Sequence, residues 1–280
     1  MTGKAREEEG YSMSRKSKSF LLLSTVLLWA TWVSASVAIV QSKGCNATAC
    51  TFNSPTTSGN AILVAGATAG NSSNFTPTDN FSNPYVQNDR AGANFGANGT
   101  WLTLYRASTI TSGTTTISTT STGAVRTLTI LEVAGLDASP VDVKNQAGNT
   151  WSGGSCNSAV TTTNANDLVL NFCIDNSSST NWAAQSPWLG VITTTGGYSS
   201  GVESQNTGTV GTFTPSWNPS SVGGDYANIT IAYKSGSPVR PITQPFVSII
   251  TEMYEPNSGN GYLALTFGTL WRGDYSARIR

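Results

Sequence analysis

The sequence predicts an all-β fold, a two-sheet antiparallel β-sandwich with an N-terminal signal or anchor helix and a C-terminal β-hairpin extension. Short runs of alternating apolar and polar residues recur along the body, separated by clusters of Gly, Asn, Pro and Ser. No stretch after the N-terminal apolar run keeps a helical period. Because the strands do not repeat at a fixed spacing, the pattern favours a sandwich over a propeller or a solenoid.

The first element is an export signal over residues 1–35. A basic flank at residues 15–18 precedes the apolar core of residues 20–33, and small residues follow it up to Ala35, where cleavage is expected. The uncharged stretch is also long enough to cross a bilayer, which takes about 20 residues. An uncleaved anchor over residues 19–40 therefore remains the alternative. In both cases the body faces outward, at the cell surface or outside the cell.

The body, residues 36–235, carries a series of predicted strands. They cover residues 37–41, 61–67, 101–107, 114–119, 125–133, 159–163, 168–174, 188–194, 202–206, 211–216 and 226–233.

Beyond the body, residues 236–245 form a Pro-rich linker, and residues 246–280 form a tail. Two apolar runs in the tail flank a turn-rich segment, which predicts a β-hairpin. A lone hairpin is marginal in water. We therefore expect the tail either to fold back on its own domain or to pair with a neighbouring copy.

The charge balance excludes one class of partner. Five of the 15 basic residues and three of the 15 acidic residues precede residue 36, so the rest of the chain has a net charge near −2. Such a surface gains nothing from counterion release, so nucleic acid is not expected as a partner. The expected partners are further copies of the chain, as a homo-oligomer or filament, or surface glycans. Membrane contact is expected only through the N-terminal segment.

Four cysteines in an exported chain predict two disulfides. Cys45 and Cys50 bracket a short loop. Cys156 and Cys173 lie symmetrically about the turn-forming residues 164–167, so a hairpin closed there would place them on facing strands. A metal site of four thiolates is the alternative, although neither pair has the close spacing that zinc sites favour.

The chain resembles the jelly-roll or immunoglobulin-like sandwich domain that recurs in secreted and cell-surface proteins of bacteria and archaea. The resemblance covers about residues 37–234. It implies a fold and an extracellular setting, and it carries over no catalytic residues. The segments that carry it are residues 61–66, 78–80, 104–105, 113–118, 131–137, 160–163, 166–168, 197–198, 203–205 and 227–233.

The sequence contains no histidine, which removes Ser-His-Asp and Cys-His catalysis and every His-ligated metal site. Paired carboxylates would still allow a histidine-free glycoside hydrolase, with Glu132 and Glu203 as the pair. The alternative is structural: Glu132 and Arg106 both share strand parity with apolar residues. A buried ion pair between them is then expected, because a buried carboxylate needs a partner.

Calcium is the ion that the acidic residues would suit best, because carboxylates in turns suit a hard cation. The candidates are Asp79, Asp89, Asp137 and Asp142, all in or near loops. They form no dense cluster, and isolated aspartates in turns usually cap the backbone. No cofactor is therefore expected.

Two further groups of residues suggest carbohydrate. Trp182 and Trp188 lie in or next to a charge-free stretch rich in amides and hydroxyls, which suits a glycan-binding face; burial in the core is the alternative. Seven Asn-x-Ser/Thr sequons are candidates for N-glycosylation. They begin at Asn46, Asn71, Asn74, Asn80, Asn98, Asn176 and Asn228.

Together these features predict a non-enzymatic, exported or cell-surface structural or adhesion protein that self-assembles outside the cell. A glycan-binding β-sandwich module is the second hypothesis, and the histidine-free hydrolase is the third.

Overall fold

The computed structural model describes residues 36–70, 74–93, 99–121, 123–149, 156–177, 181–196, 198–218 and 225–236. The predicted signal or anchor at residues 1–35 and the predicted hairpin tail at 246–280 lie outside these residues, as do linker residues 237–245. In the described part of the chain, no helix has the length and apolarity needed to cross a membrane.

The described residues form seventeen β-strands, and every strand pair is antiparallel. The predicted all-β, antiparallel class is therefore confirmed. The strands are β1 (Ala38–Cys45), β2 (Ala49–Thr51), β3 (Ala61–Ala69), β4 (Phe75–Asp79), β5 (Tyr85–Ala93), β6 (Thr100–Ala107), β7 (Thr116–Ser121), β8 (Ala124–Ala134), β9 (Leu136–Asn149), β10 (Val160–Thr161), β11 (Leu168–Asp175), β12 (Ala183–Ala184), β13 (Leu189–Thr194), β14 (Ser199–Asn206), β15 (Thr212–Phe213), β16 (Trp217–Asn218) and β17 (Tyr226–Ser235).

Two five-stranded sheets share one apolar core. The first sheet has the strand order β1-β8-β3-β6-β5, and the second has the order β13-β14-β11-β17-β9. Alternate residues of the inner strands point into the space between the sheets, as the two-residue period of a strand requires. The first sheet contributes Leu63, Leu102, Leu104 and Leu131, and the second contributes Leu170, Phe172, Ile229 and Ile231.

Each sheet is also covered on its other face. The three-stranded sheet β2-β7-β4 packs on the first sheet, with Phe75 and Ile117 against Ile62, Val64 and Ile130. We call residues 49–60 with β4 and β7 the first cover. Two short sheets, β10-β15 and β12-β16, lie on the second sheet, and we call residues 156–163, 182–188 and 211–218 the second cover. The central strands are thus buried on both faces.

One glycine in each sheet lets its cover approach closely. A Cβ built on Gly66 of β3 would lie 2.3 Å from the Phe75 ring, and one on Gly201 of β14 would lie 2.8 Å from the Trp217 ring. Real Cβ atoms do not come that close to carbon. Each cover therefore rests its aromatic ring on a position that only glycine can occupy.

The two ends of the described domain meet at one corner. The amide of Gly236, after β17, donates a hydrogen bond to the carbonyl of Gly135 at 2.6 Å. The backbone of Ser36 lies against the same glycine, with its carbonyl oxygen 2.9 Å from the position of a Cβ on Gly135. The chain therefore enters and leaves this domain next to the β8–β9 turn.

Candidate functional site

Each disulfide joins one five-stranded sheet to its own cover. Cys45 at the end of β1 is bonded to Cys50 of β2, and Cys156 at the start of the second cover is bonded to Cys173 of β11. The predicted pairing is confirmed. The predicted hairpin between residues 159–163 and 168–174 is wrong, because β10 pairs with β15, and β11 lies between β14 and β17. The segment after Cys156 crosses the outer face of the sheet instead.

Glu132 binds the first cover to the first sheet. Its side chain is fully buried at the end of β8. Oε1 accepts hydrogen bonds from the amide of Thr57 at 2.7 Å and from Nδ2 of Asn60 at 2.6 Å, and Oε2 accepts one from Nε2 of Gln41 at 2.7 Å. Three donors from β1 and from the 57–60 loop therefore satisfy this carboxylate without a cation.

The predicted Arg106–Glu132 ion pair is wrong. Arg106 pairs with Leu63 across the sheet and shares the face of Leu104, towards the core between the sheets. Glu132 shares the other face with Ile130, under the first cover. Because both faces of this sheet are buried, strand parity with apolar residues did not place the two side chains on the same side.

Arg106 lies instead near the buried phenol of Tyr233. Burial raises the pKa of Tyr233 well above its ordinary value, although the charge of Arg106 and a hydrogen bond from Asn88 both act to lower it. Nε and Nη1 of Arg106 are buried and have no hydrogen-bond partner among the described residues.

Glu203 lies on the outer face of the second sheet, in the middle of a buried polar network. Its Oε1 accepts from Nδ2 of Asn171 at 3.2 Å and from the amide of Ser216, in the second cover, at 3.0 Å. Its Oε2 is buried and has no partner in the described part of the chain. Burial raises the pKa of Glu203 to about 7, although these two hydrogen bonds act to lower it.

The network continues across β11 and β17. Oδ1 of Asn171 accepts from Nδ2 of Asn228 at 3.1 Å and from the hydroxyl of Thr230 at 3.2 Å. Asn228 also donates to the hydroxyl of Ser158 at 2.7 Å, and Asn171 donates to the carbonyl of Cys156 at 2.9 Å. These bonds attach the first residues of the second cover to the sheet below.

Glu132 and Glu203 do not form a catalytic pair. Glu132 lies on the outer face of the first sheet and Glu203 on the outer face of the second, so both sheets separate them. The hydrolase hypothesis required both carboxylates in one cleft. A cavity of about 10 Å³ lies between the sheets beside Thr129 and Ser200, with room for about one water molecule.

The structure does bring two other carboxylates together, those of Asp142 and Asp167. Asp142 on β9 accepts hydrogen bonds from the amide of Thr163 at 2.6 Å, from the Thr163 hydroxyl, and from Nδ2 of Asn164 at 2.8 Å. Partial burial acts to raise the pKa of Asp142, but these bonds and the neighbouring Asp167 hold it below its ordinary value.

Asp167 is fully buried, and neither of its carboxyl oxygens has a hydrogen-bond donor among the described residues. Burial, followed by the neighbouring Asp142, raises the pKa of Asp167 to about 7, and the charge of Lys234 partly offsets this. Asp167 is not among the residues that the sequence predicts to be functional. Its position directly before the apolar strand β11 was the one available signal that it is buried.

The four calcium candidates do not form a site. Asp79 accepts from the amides of Phe81 and Asn83 and from the Tyr85 hydroxyl, so it closes its own turn. Asp137 accepts from the amide of Ser139. Within the described ranges, no three acidic or cysteine side chains lie close enough together to hold a metal ion.

Asp89 and Asp142 complete that set of candidates. Asp89 on β5 lies 3.6 Å from the ammonium group of Lys144 on β9, so it links the edges of the two sheets. Asp142 lies beside Asp167, as described above.

The two candidate glycan-binding tryptophans are buried. Trp182 packs edge-to-face on Trp217, with ring centroids 5.5 Å apart, over the Cys156–Cys173 bond. Trp188 packs with Val169 of β11, and its indole donates a hydrogen bond to the carbonyl of Thr214 at 2.8 Å. Both rings belong to the second cover, so they do not form the exposed platform that the glycan hypothesis required.

The structure separates the sequons by exposure. Asn46, Asn80 and Asn176 are exposed, and Asn74 is partly buried. Asn228 is fully buried, and its Nδ2 already donates two hydrogen bonds, so a glycan does not fit there in the folded domain. Asn71 and Asn98 lie outside the described residues.

The chain was compared with known proteins in three ways. No family model, no curated protein and no solved structure matches it.

Proposed function

We propose that the chain is a non-enzymatic, exported or cell-surface structural or adhesion protein, built on a β-sandwich of the jelly-roll or immunoglobulin-like type. The observation that carries the proposal is that each disulfide joins one sheet to its own cover. Two disulfides are consistent with an oxidising, extracellular environment. Each cross-link opposes local opening of an outer layer, which is the property that an exposed scaffold needs.

The use of the buried polar groups supports the same conclusion. Glu132 and Glu203 each bind a backbone amide of a cover, and Asp79 closes a turn. The tryptophans of the second cover fill space between layers. These residue types often carry catalysis or binding, and here their hydrogen bonds and contacts hold the layers together.

We further propose that the protein self-assembles through its tail. The described domain ends at Gly236, and the apolar tail follows the Pro-rich linker. Strand β13 is an edge of the second sheet, and its Leu189 is 70% exposed. An edge strand with an exposed large apolar residue is a template for an added strand. The tail of a second copy would supply that strand.

Size-exclusion chromatography with light scattering, followed by electron microscopy, tests this proposal on the exported chain. We expect Leu189→Lys, and separately deletion of residues 246–280, to abolish assembly while the circular dichroism spectrum is kept. Val210→Lys is the matched control, because Val210 is also exposed but lies in a loop. Assembly that survives deletion of residues 246–280 would contradict the role of the tail, and assembly that survives Leu189→Lys would contradict the role of the β13 edge. Unfolding on deletion would show that the tail completes its own domain.

An activity screen tests the non-enzymatic assignment separately. We expect no turnover of a panel of glycans and esters. Turnover that is lost in Glu203→Gln would contradict the assignment, because Glu203 is a buried carboxylate with a pKa near neutrality.

A further inference from the structure

Two buried acids lie where the second cover meets the second sheet. Asp167 ends the turn that joins β10 of the cover to β11 of the sheet, and Glu203 accepts from the amide of Ser216 next to β16. Both side chains are fully buried. By contrast, Glu132 of β8, the buried acid under the first cover, has three donors. The two covers are therefore attached through acids in very different environments.

The environment of Asp167 requires a proton or a cation. Neither of its oxygens has a donor, while the adjacent Asp142 accepts from Thr163 and Asn164 through both of its oxygens. Two ionised carboxylates in contact would repel each other, and burial adds to the cost of the second charge. Because donors already surround Asp142, a proton on Asp167, donated to Asp142, is the arrangement that fits these contacts.

The environment of Glu203 also favours the protonated form of its carboxyl group. Its Oε2 is buried without a partner, which is costly for a charged oxygen and much less so for a protonated one. Its polar neighbours are Asn171 on β11 and Ser216 in the cover, and both are neutral. Around Asp167, the charged groups are Asp142 on β9 and Lys234 on β17. Of these two charged groups, only Lys234 favours ionisation of Asp167.

We propose that the second cover is a pH-sensitive layer, which closes on the second sheet when Asp167 and Glu203 are protonated and loosens when both ionise. Ionisation of Asp167 places two negative charges at the base of the 163–167 turn, and ionisation of Glu203 places a charge under Ser216. We expect the effect in the second cover alone, because both oxygens of Glu132, under the first cover, already accept hydrogen bonds. Loosening would uncover the Trp182–Trp217 pair and leave the core between the sheets intact.

Hydrogen exchange of the full exported chain at pH 5.5 and pH 8.5, corrected for chemical exchange rates, tests the proposal. We expect amides of residues 157–165 and 211–218 to exchange at least about tenfold faster at pH 8.5, since one unit of pKa difference is tenfold in an equilibrium. Amides of residues 49–57 in the first cover serve as the internal reference. Equal changes in both covers would overturn the proposal.

Variants identify the groups responsible. The double variant Asp167→Asn with Glu203→Gln should keep the second cover protected at both pH values, and Asp137→Asn should behave like the unmodified chain. Each single variant should remove part of the pH effect, so a double variant that fails to fold leaves the test intact. A pH effect of undiminished size in both single variants would overturn the proposal. Restored protection at pH 8.5 on adding about 5 mM calcium would assign the Asp142–Asp167 pair to a cation instead.

Discussion

Asn60 donates a hydrogen bond from Nδ2 to Oε1 of Glu132 at 2.6 Å, across the boundary between the first cover and the first sheet. The amide of Thr57 reaches the same oxygen. A fully buried carboxylate is thus bound by an amide side chain and a backbone N–H rather than by the arginine that strand parity suggested. Its role is to fix the 57–60 loop on β8.

The first prediction concerns this carboxylate. Glu132→Gln replaces one acceptor by a donor that would face Gln41 or Asn60, so at least one hydrogen bond is lost inside the protein. We expect the free energy of unfolding in urea to fall by about 1–3 kcal/mol. Asp137→Asn is the control, because Asp137 is only partly buried and binds one amide. An equally small effect of both changes would show that the three donors find other partners.

The second prediction tests the absence of coupling between Arg106 and Glu132. The two side chains lie on opposite faces of the sheet. We expect the effects of Arg106→Met and Glu132→Gln on the free energy of unfolding to add to within about 0.5 kcal/mol in a double-mutant cycle. A coupling energy above about 1 kcal/mol would show that Arg106 and Glu132 do form an ion pair.

The inner strands of the two large sheets and the edge strands β1 and β13 could be predicted from the sequence, whereas the edge strands β5 and β9 could not. Runs such as the one in β3 combine apolar and β-branched residues. Such runs predict both where a strand lies and that the fold is all-β. Strands β5 and β9 are the outer strands on one side of the two sheets, and they are rich in Asp, Asn, Gly and Gln. Pro140 within β9 also argued against a strand. Edge strands tolerate this composition because one side of the backbone is unpaired.

The sequence analysis predicts two sheets and no covers, whereas antiparallel sheets commonly have one face on the core and one in solvent. Residues 61–68 of β3 and all eight residues of β11 are buried, and their nearly continuous apolar runs were the available signal. The wrong prediction of the Arg106–Glu132 ion pair has the same cause. Once both faces are buried, parity cannot say which buried face a side chain such as Glu132 or Arg106 occupies. The cysteine pairing was predicted because it depends on the even number of cysteines and their spacing.

The third prediction compares the two disulfides. Cys156→Ala with Cys173→Ala removes a bond with a sequence separation of 17, and Cys45→Ala with Cys50→Ala removes one with a separation of 5. Loss of the constraint on the unfolded chain should cost about 3 and about 2 kcal/mol respectively. Urea denaturation measures both values. Peptide mapping without reduction checks the pairing, and a Cys45–Cys156 link would contradict both bonds.

The fourth prediction concerns the buried sequon. Asn228 donates to Ser158 and Asn171 inside the network under the second cover, so Asn228→Ala should lower the free energy of unfolding by about 1–3 kcal/mol. Asn46→Ala, at an exposed sequon, should cost well under about 1 kcal/mol. When the chain is secreted from a host that glycosylates, glycopeptide mapping should find Asn228 unmodified. A glycan there on folded protein would contradict the structure of this face.

The last prediction is the pH dependence of global stability. The pKa values of Asp167 and Glu203 are raised to about 7 in the folded chain, from ordinary values of 3.8 and 4.5. The folded state therefore binds more protons than the unfolded state over this interval, and stability falls as the pH rises. The contribution of these two groups is complete below their ordinary pKa values and is lost as the pH rises through about 7. We expect the thermal midpoint to decrease between pH 5 and pH 8, and to decrease less in Asp167→Asn and in Glu203→Gln.

Asp142, whose pKa is lowered, acts in the opposite sense only below about pH 4, outside this range. A midpoint that rises between pH 5 and pH 8, or a slope that neither variant reduces, would show that these two acids are not protonated in the folded protein.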